Sequence, residues 1–219
     1  MRTIRITGTG SALPGRIVTN KELEQLVETS DEWIRERTGI AERHVSVGET
    51  VVTLASEAAR KALEQAGKRA EEIDLILVAT CSPEQYLPCC ACQVQAAVGA
   101  VNALAFDVNA ACSGFLFALN TADAYLRTGL AKNALIIGSE VLSKLVDWTD
   151  RGSCILFGDG AGAVVVEQCR TESRAVEYRN ALPETEKGMQ ETAEEKRIPA
   201  AGILGRALHS DGTGGGVLQ

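Results

Sequence analysis

The stretch Leu104–Leu119, LAFDVNAACSGFLFAL, decides how the rest of this chain is organised. Leu104–Val108 is a short apolar run that predicts a buried strand, and Ala111–Arg127 has helix-forming residues at helical spacing until Gly129. Cys112 therefore falls where a strand turns into the first turn of a helix. Unpaired N–H groups and the positive end of the helix dipole favour a thiolate at such a position.

Two interpretations of Cys112 are open at this point. Its small neighbours leave room for a substrate carbonyl to approach the sulfur, which favours a catalytic nucleophile. Free cysteine is also among the most buried residue types, so the spacing alone favours a packed core residue. The small neighbours are Ala110, Ala111, Ser113 and Gly114.

Composition excludes several classes of protein. The chain has 219 residues, of which 45% are hydrophobic and 23% charged, as in ordinary globular proteins of one large or two small domains. A net charge of -7 argues against general nucleic-acid binding. Apolar runs are too short to span a bilayer, and the start MRTIRITGTG lacks a signal-peptide core. Seven cysteines, an odd number, together with no export signal predict reduced thiols in the cytoplasm.

The crowded cysteines Cys89, Cys90 and Cys92 raise the question of a metal site. A structural zinc site needs four well-placed ligands, whereas here no second CxxC is present, and His44 and His209 stand apart. We interpret the three cysteines as small apolar residues on a packed helix and expect no metal.

Alternating strands and helices predict a layered α/β fold with much of the sheet covered on both faces. Thr19 and Glu22 form a capping box for a short helix over 20–28, and Ser30 caps a helix that Gly39 closes. Further predicted strands cover residues 2–8, 75–79, 133–139 and 164–167, and further helices cover residues 51–66 and 89–98.

Two segments are rich in glycine. GTGSALPG, residues 8–15, predicts a turn that ends the first strand. The second, FGDGAGAVVVE (residues 157–167), resembles a phosphate-binding loop but continues as a strand. We therefore infer that its glycines let the backbone pass close to a neighbouring segment.

The stretch Arg170–Arg197 is rich in Glu, Arg and Lys with almost no apolar period, which predicts an exposed excursion or linker. The predicted organisation is therefore a first half over residues 1–169, a charged segment over 170–201, and the start of a second half over 202–219.

Four collinear motifs resemble β-ketoacyl-acyl carrier protein synthase III, a thiolase-superfamily enzyme that initiates fatty acid synthesis. The pairing of DEWI with RTGI is similar to this family rather than to other thiolase-fold enzymes. The motifs are TSDEWIRERTGIAERH (29–44), AFDVNAACSGF (105–115), TDRGSCILFGDGAGAVVVE (149–167) and LHSDGTGGG (208–216).

The resemblance implies a thiolase-like fold of two similar α/β halves in a homodimer, with the nucleophile on a central helix. It implies that Cys112 takes an acyl group from acyl-CoA, a substrate rather than a cofactor, and passes it to malonyl-acyl carrier protein with loss of carbon dioxide. Residues 1–219 correspond to the first half, with the second half mostly missing.

Further site positions follow from the same resemblance. Trp33 and Arg151 match residues that hold the adenine of coenzyme A between a ring face and a guanidinium plane. Thr29 and Arg37 match residues near the rest of the nucleotide. From the residues alone, the alternative for Trp33 is a core anchor of its short helix, and the alternative for Arg37 and Arg151 is a solvated surface charge. Matches to acyl-pocket positions are Leu87, which reaches across the dimer, Leu142 and Phe157.

The family's catalytic His and Asn, and an oxyanion-hole glycine, lie in a second half that has no match up to Gln219. His209 and His44 belong to other motifs. Two alternatives therefore stand beside the synthase: a starter-unit condensing enzyme of secondary metabolism, and a non-catalytic acyl-binding or dimerisation partner of a complete synthase. We expect residues 1–219 alone to accept an acyl group without catalysing condensation.

Overall fold

The computed structural model describes residues 2–170, 203, 205–210 and 213. The charged segment predicted over 170–201 lies outside the described residues except for the backbone of Arg170, as does much of the segment 202–219. Both boundaries therefore stay predictions.

The described chain forms seven strands and six α-helices, with 3-10 turns at 70–72, 111–113 and 142–144. In chain order they are β1 (Arg2–Ala12), β2 (Arg16–Thr19), α1 (Asn20–Leu23), α2 (Asp31–Thr38), β3 (Glu42–Val45), α3 (Val51–Ala66), β4 (Leu75–Ala79), α4 (Cys90–Val98), β5 (Leu104–Val108), α5 (Gly114–Thr128), β6 (Asn133–Val141), α6 (Arg151–Cys154) and β7 (Asp159–Arg170).

Five strands form one sheet in the order β1-β7-β6-β4-β5. The strands β6, β4 and β5 run parallel, and β7 runs antiparallel to both of its neighbours. Because the carboxyl ends of parallel strands meet at one edge, the segments that follow β4 and β5 converge there with the end of β6. Ligand sites of open α/β sheets lie at such edges.

Helices cover both faces of this sheet, as the alternating pattern predicts. One core cluster joins α3 and α4 to the face that carries Ile76 and Val78. The second joins α5 to the opposite face, which carries Leu75 and Leu77. All residues of β4 are buried, which explains why this strand is apolar throughout.

The first strand is longer than the sequence predicts. Residues 8–12 continue β1 instead of turning, because Gly8 and Gly10 allow α3 to lie directly on the strand. A Cβ at Gly8 would lie 2.3 Å from the Ala62 carbonyl oxygen, and one at Gly10 would lie 2.2 Å from that of Ala58. The prediction of a turn beginning at Gly8 was wrong, because close packing rather than chain reversal requires these glycines.

A smaller unit of β2, β3, α1 and α2 packs on a third cluster that includes Ile34 and Cys154. The predicted capping box of Thr19 with Glu22 is confirmed, but α1 ends at Leu23 instead of continuing to residue 28. Ser30 caps α2, and Gly39 ends it with φ of 74°. This unit carries the predicted nucleotide-binding residues of α2.

The predicted burial of β5 was wrong. Leu104 is 52% exposed, and the other residues of the strand are only half-buried. Among the described residues β5 has a strand neighbour, β4, on one side only. No helix in the described part of the chain is long and apolar enough to cross a membrane.

Candidate active site

Cys112 lies in a 3-10 turn, Ala111–Ser113, between β5 and α5. It therefore stands just before the α-helix rather than within its first turn. Ala111 has φ of 43°, a left-handed conformation that is strained for a residue with a side chain. Within the described residues Cys112 is exposed on this turn and belongs to none of the core clusters.

The strained turn is held against the end of β4. A Cβ on Gly114 would lie 3.1 Å from the Cβ of Ala79, so glycine lets α5 begin close to this strand. The Thr80 N–H donates to the Val108 carbonyl oxygen at 3.2 Å, which joins the ends of β4 and β5. The position of Cys112 is thus set by the parallel pairing of these strands.

A carboxylate at the end of β6 organises the neighbouring loop. Glu140 accepts hydrogen bonds from the Cys81 N–H at 2.7 Å, from the Thr80 hydroxyl at 3.2 Å and from the Ser82 hydroxyl. The Ser82 hydroxyl oxygen also accepts from the Val141 N–H at 3.0 Å. The sequence patterns did not indicate this network. The available signal was that Glu140 lies near the end of β6 and residues 80–82 follow β4, two parallel neighbours whose carboxyl ends share one edge of the sheet.

The environment suppresses ionisation of several other thiols. Burial, a hydrogen bond to Glu140 and nearby charges including Cys112 raise the pKa of Cys81 from 9.0 to about 11. Burial and the Asp107 carboxylate raise the pKa of Cys90 to about 12. Burial also raises the pKa of Cys154. These three thiols are neutral near pH 7 and are poor nucleophiles.

The structure brings together three of the predicted nucleotide-binding residues. The guanidinium carbons of Arg37 and Arg151 lie 4.3 and 4.7 Å from the centre of the Trp33 ring. Arg151 also donates to the Glu28 carbonyl oxygen at 3.2 Å. Trp33 packs its remaining surface against the third core cluster, so it is partly a core anchor as well.

The gap between Trp33 and Arg151 is closed in this structure. A base stacked between a ring and a guanidinium needs about 7 Å, twice the usual contact of roughly 3.5 Å. Entry of adenine therefore requires the Arg151 side chain to move outward. The Thr29 hydroxyl oxygen is buried and has no hydrogen-bond partner within the described residues. This unpaired group lies four residues before Trp33, and a ligand could reach it only if the side chains that cover it moved.

The predicted acyl-pocket residues occupy three separate loops. Leu87 lies between β4 and α4 and is 85% exposed. Leu142 starts the 3-10 turn after β6 and is half-buried. Phe157 precedes β7 and is 37% exposed. Their role in holding an acyl chain stays a prediction.

The two histidines lie outside the cysteine turn. The Nδ1 atom of His44, on β3, lies 2.7 Å from the Pro14 carbonyl oxygen, and His209 is exposed. Near His209, Arg206 forms an ion pair with the buried Asp123 of α5 and bonds to Asn120 at 2.8 Å. The described residues contain no group of three or more His, Cys, Asp or Glu side chains that could hold a metal ion.

The sheet is covered on both faces and has a cysteine turn at the carboxyl edge of its parallel strands, and its superposition with solved structures places it in the thiolase-like class of α/β folds. The solved 3-oxoacyl-acyl carrier protein synthase III of Aquifex aeolicus superposes with a TM-score of 0.76 at 51% identity, over 78% of this chain and 55% of that one. The priming β-ketosynthase of the R1128 polyketide pathway also gives 0.76, at 38% identity over 78% of this chain and 52% of that one.

The sequence comparisons agree with the fold. The family model of 3-oxoacyl-acyl carrier protein synthase III matches residues 106–180. β-Ketoacyl-acyl carrier protein synthase III of Clostridium acetobutylicum is 55% identical over 166 residues, 76% of this chain and 51% of the relative. This chain is similar to the β-ketoacyl-acyl carrier protein synthase III family, and it spans about half the length of these relatives.

Proposed function

We propose that this chain belongs to a β-ketoacyl-acyl carrier protein synthase III that starts fatty acid synthesis, and that Cys112 accepts the acyl group. The observation that carries the proposal is the exposed Cys112 thiol on a strained turn at the carboxyl edge of parallel strands. The similarity to this family supports the reaction class, because the relatives are named for this activity.

The chemistry has two steps. The Cys112 thiolate attacks the carbonyl carbon of acyl-CoA, a thioester forms, and coenzyme A leaves as its thiolate. Malonyl-acyl carrier protein then loses carbon dioxide, and the resulting carbanion attacks the acyl carbonyl and expels the Cys112 thiolate. A covalent thioester lowers the overall barrier because acyl transfer and carbon–carbon bond formation occur separately. The proposed reaction uses acyl-CoA as a substrate and needs no cofactor.

The nucleotide of acyl-CoA is proposed to bind at Thr29, Trp33, Arg37 and Arg151. Two guanidinium groups over one ring favour an anionic, planar ligand, because arginine pairs with phosphate and stacks on aromatic faces. The unpaired Thr29 hydroxyl supports the same location. Coenzyme A supplies both a purine and phosphates.

We also propose a homodimer. The strand β5 has a strand neighbour on one side only within the described residues, and an unpaired edge favours pairing with another chain. Leu87 is 85% exposed. A residue that extends into the acyl pocket of a partner subunit would be exposed in this way when one subunit is considered alone. A cytoplasmic setting is part of the proposal, since all seven cysteines are free thiols.

A starter-unit condensing enzyme of secondary metabolism is the second candidate, favoured by the similarity to the R1128 priming ketosynthase. Competition among acetyl-, butyryl- and branched acyl-CoA for Cys112 separates the two. Acetyl-CoA should win for a fatty acid synthase, and a longer starter should win for the alternative.

The test follows coenzyme A release, carbon dioxide and 3-oxoacyl product separately, with acetyl-CoA and malonyl-acyl carrier protein as substrates. Residues 1–219 alone should release one equivalent of coenzyme A and form almost no product. Loss of one preorganised hydrogen-bond donor costs about 10²–10³ in rate, and the family's His and Asn both lie outside these residues. Turnover by residues 1–219 near that of a complete synthase would contradict this assignment of catalytic groups.

A further inference from the structure

The first turn of α4 holds two thiols in contact. Cys89 is the residue that caps α4, and Cys92 follows three positions later. The Cys89 Sγ donates to the Cys92 Sγ at 3.5 Å, and the Cys92 Sγ donates to the Ala105 carbonyl oxygen at 3.7 Å. Both residues are half-buried. The proposed acyl transfer uses neither of them.

We propose that Cys89 and Cys92 are a thiol–disulfide exchange site, which forms a reversible intrachain disulfide on meeting a low-molecular-weight disulfide. A disulfide bond is about 2.05 Å long, so the two sulfurs need to approach by about 1.5 Å. Rotation of one side chain supplies movement on that scale. Two cysteines separated by two residues at a helix start are also the spacing of redox-active dithiols.

The surroundings assign different roles to the two thiols. The contact with Cys89, burial and the nearby Asp107 carboxylate raise the pKa of Cys92. Cys92 is also directed at the backbone of β5. Cys89 precedes the helix and packs against the core cluster beneath α4, but within the described residues no hydrogen bond joins its thiol to the sheet, so it attacks first, and Cys92 acts second. Cys90 lies between them but is buried in the core cluster beneath α4.

The exchange balances in two steps. The Cys89 thiolate attacks one sulfur of glutathione disulfide, which gives a mixed disulfide and releases one glutathione thiolate. Cys92 loses its proton to solvent, and its thiolate attacks the Cys89 sulfur and expels the second glutathione thiolate. Two protein thiols are oxidised, and one glutathione disulfide is reduced to two thiols. A reduced dithiol reverses both steps.

The experiment incubates the full chain with glutathione disulfide, quenches with acid, and tags remaining thiols with a maleimide after denaturation. Peptide mass mapping then locates every tag. The expected result is a linked Cys89–Cys92 peptide and the loss of both tags, while the exposed Cys112 carries glutathione. In Cys92→Ser the Cys89–glutathione adduct should accumulate at least about tenfold above the parent, because no neighbouring thiol displaces it.

Cys169→Ser is the matched control, since Cys169 is half-buried and lies outside the pair. It should leave the Cys89–Cys92 linkage unchanged. Retention of both tags, persistence of the Cys89–glutathione adduct in the parent, or linkage of either cysteine to a different one would overturn the proposal. The readout does not depend on acyl transfer, so it is independent of the proposed condensing activity.

Discussion

Two helices of this fold begin next to a cysteine, and the two starts differ in what meets the helix end. At α4 the Asp107 carboxylate accepts from the N–H groups of Cys90 at 2.9 Å and Ala91 at 2.7 Å. At α5 the cap residue Ser113 makes no side-chain capping bond, and the strained Ala111 precedes the thiol. One start is neutralised by an acidic side chain, and the other is presented to the exterior.

The difference shows that a cysteine at a helix start is not reactive by position alone. Burial first, and then the Asp107 carboxylate that opposes the dipole of α4, raises the pKa of Cys90, whereas the turn before α5 exposes Cys112. Asp107 lies on β5, the same strand that leads to Cys112. One strand therefore caps one helix and delivers the thiol at the start of the next.

The largest expected effect is a contrast in alkylation rate. Cys90 is buried and its pKa is raised to about 12, so it is almost wholly un-ionised at pH 8, and iodoacetamide should modify the exposed Cys112 at least about 10 times faster. Time-resolved peptide mass spectrometry measures both rates on one sample. In denaturant the rates should converge. Equal rates in the folded protein would remove the contrast between the two helix starts.

A smaller effect is expected from removing the proposed coenzyme A contact of Trp33. Trp33→Ala should slow acetylation of Cys112 by acetyl-CoA about 5- to 30-fold at subsaturating substrate, because one stacking partner contributes about 1–2 kcal/mol. Iodoacetamide labelling of Cys89 and Cys112 should not change. Arg35→Ala is the matched control, since Arg35 lies on the same helix but bonds to Asp31. Equal acetylation rates in Trp33→Ala and the parent would place coenzyme A elsewhere.

The smallest effect is expected when the carboxylate at the start of α4 is removed, so that this helix start, like that of α5, has no acidic side chain bound to it. Asp107→Asn removes a charge-assisted acceptor from two N–H groups and should lower the free energy of unfolding by about 1–3 kcal/mol. The pKa of Cys90 should fall but stay above its usual value, because burial remains and only the smaller contribution of the Asp107 charge is lost, and labelling of Cys90 at pH 9 should rise about 3- to 10-fold. Urea titration and mass spectrometry provide the two measurements.

The control for Asp107→Asn is Glu64→Gln, on an exposed position of α3, which should change stability by less than about 0.5 kcal/mol. Unchanged stability of Asp107→Asn would mean that the carboxylate does not support the α4 start.

The parts of the fold that the sequence predicts are those with local causes. The bounds of α3 are confirmed because a 3.6-residue apolar period ends at Gly67, whose φ of 63° stops the helix. The predicted end of β1 was wrong. Glycine indicates a turn locally, whereas here Gly8 and Gly10 are needed because α3, some fifty residues away, packs directly on the strand. β5 is exposed because it lies at one edge of the described sheet, and the spacing of apolar residues does not predict strand order.

The candidate site shows the same division. Cys112 at a strand-to-helix junction follows from neighbouring residues. The contact of Arg151 with Trp33 joins two distant segments, and only the family resemblance indicated it. Glu140 was missed because its partners in the loop after β4 are 58 to 60 residues earlier in the chain.

The central claim is that Cys112 is the acyl-accepting thiol, and the direct measurement is the location of an acetyl label. Incubation with isotopically labelled acetyl-CoA, followed by acid quench and peptide mapping of all seven cysteines, reports it. The expected result is label on Cys112 and none in Cys112→Ala. Label on Cys89, Cys90 or Cys154 that persists in Cys112→Ala would contradict it.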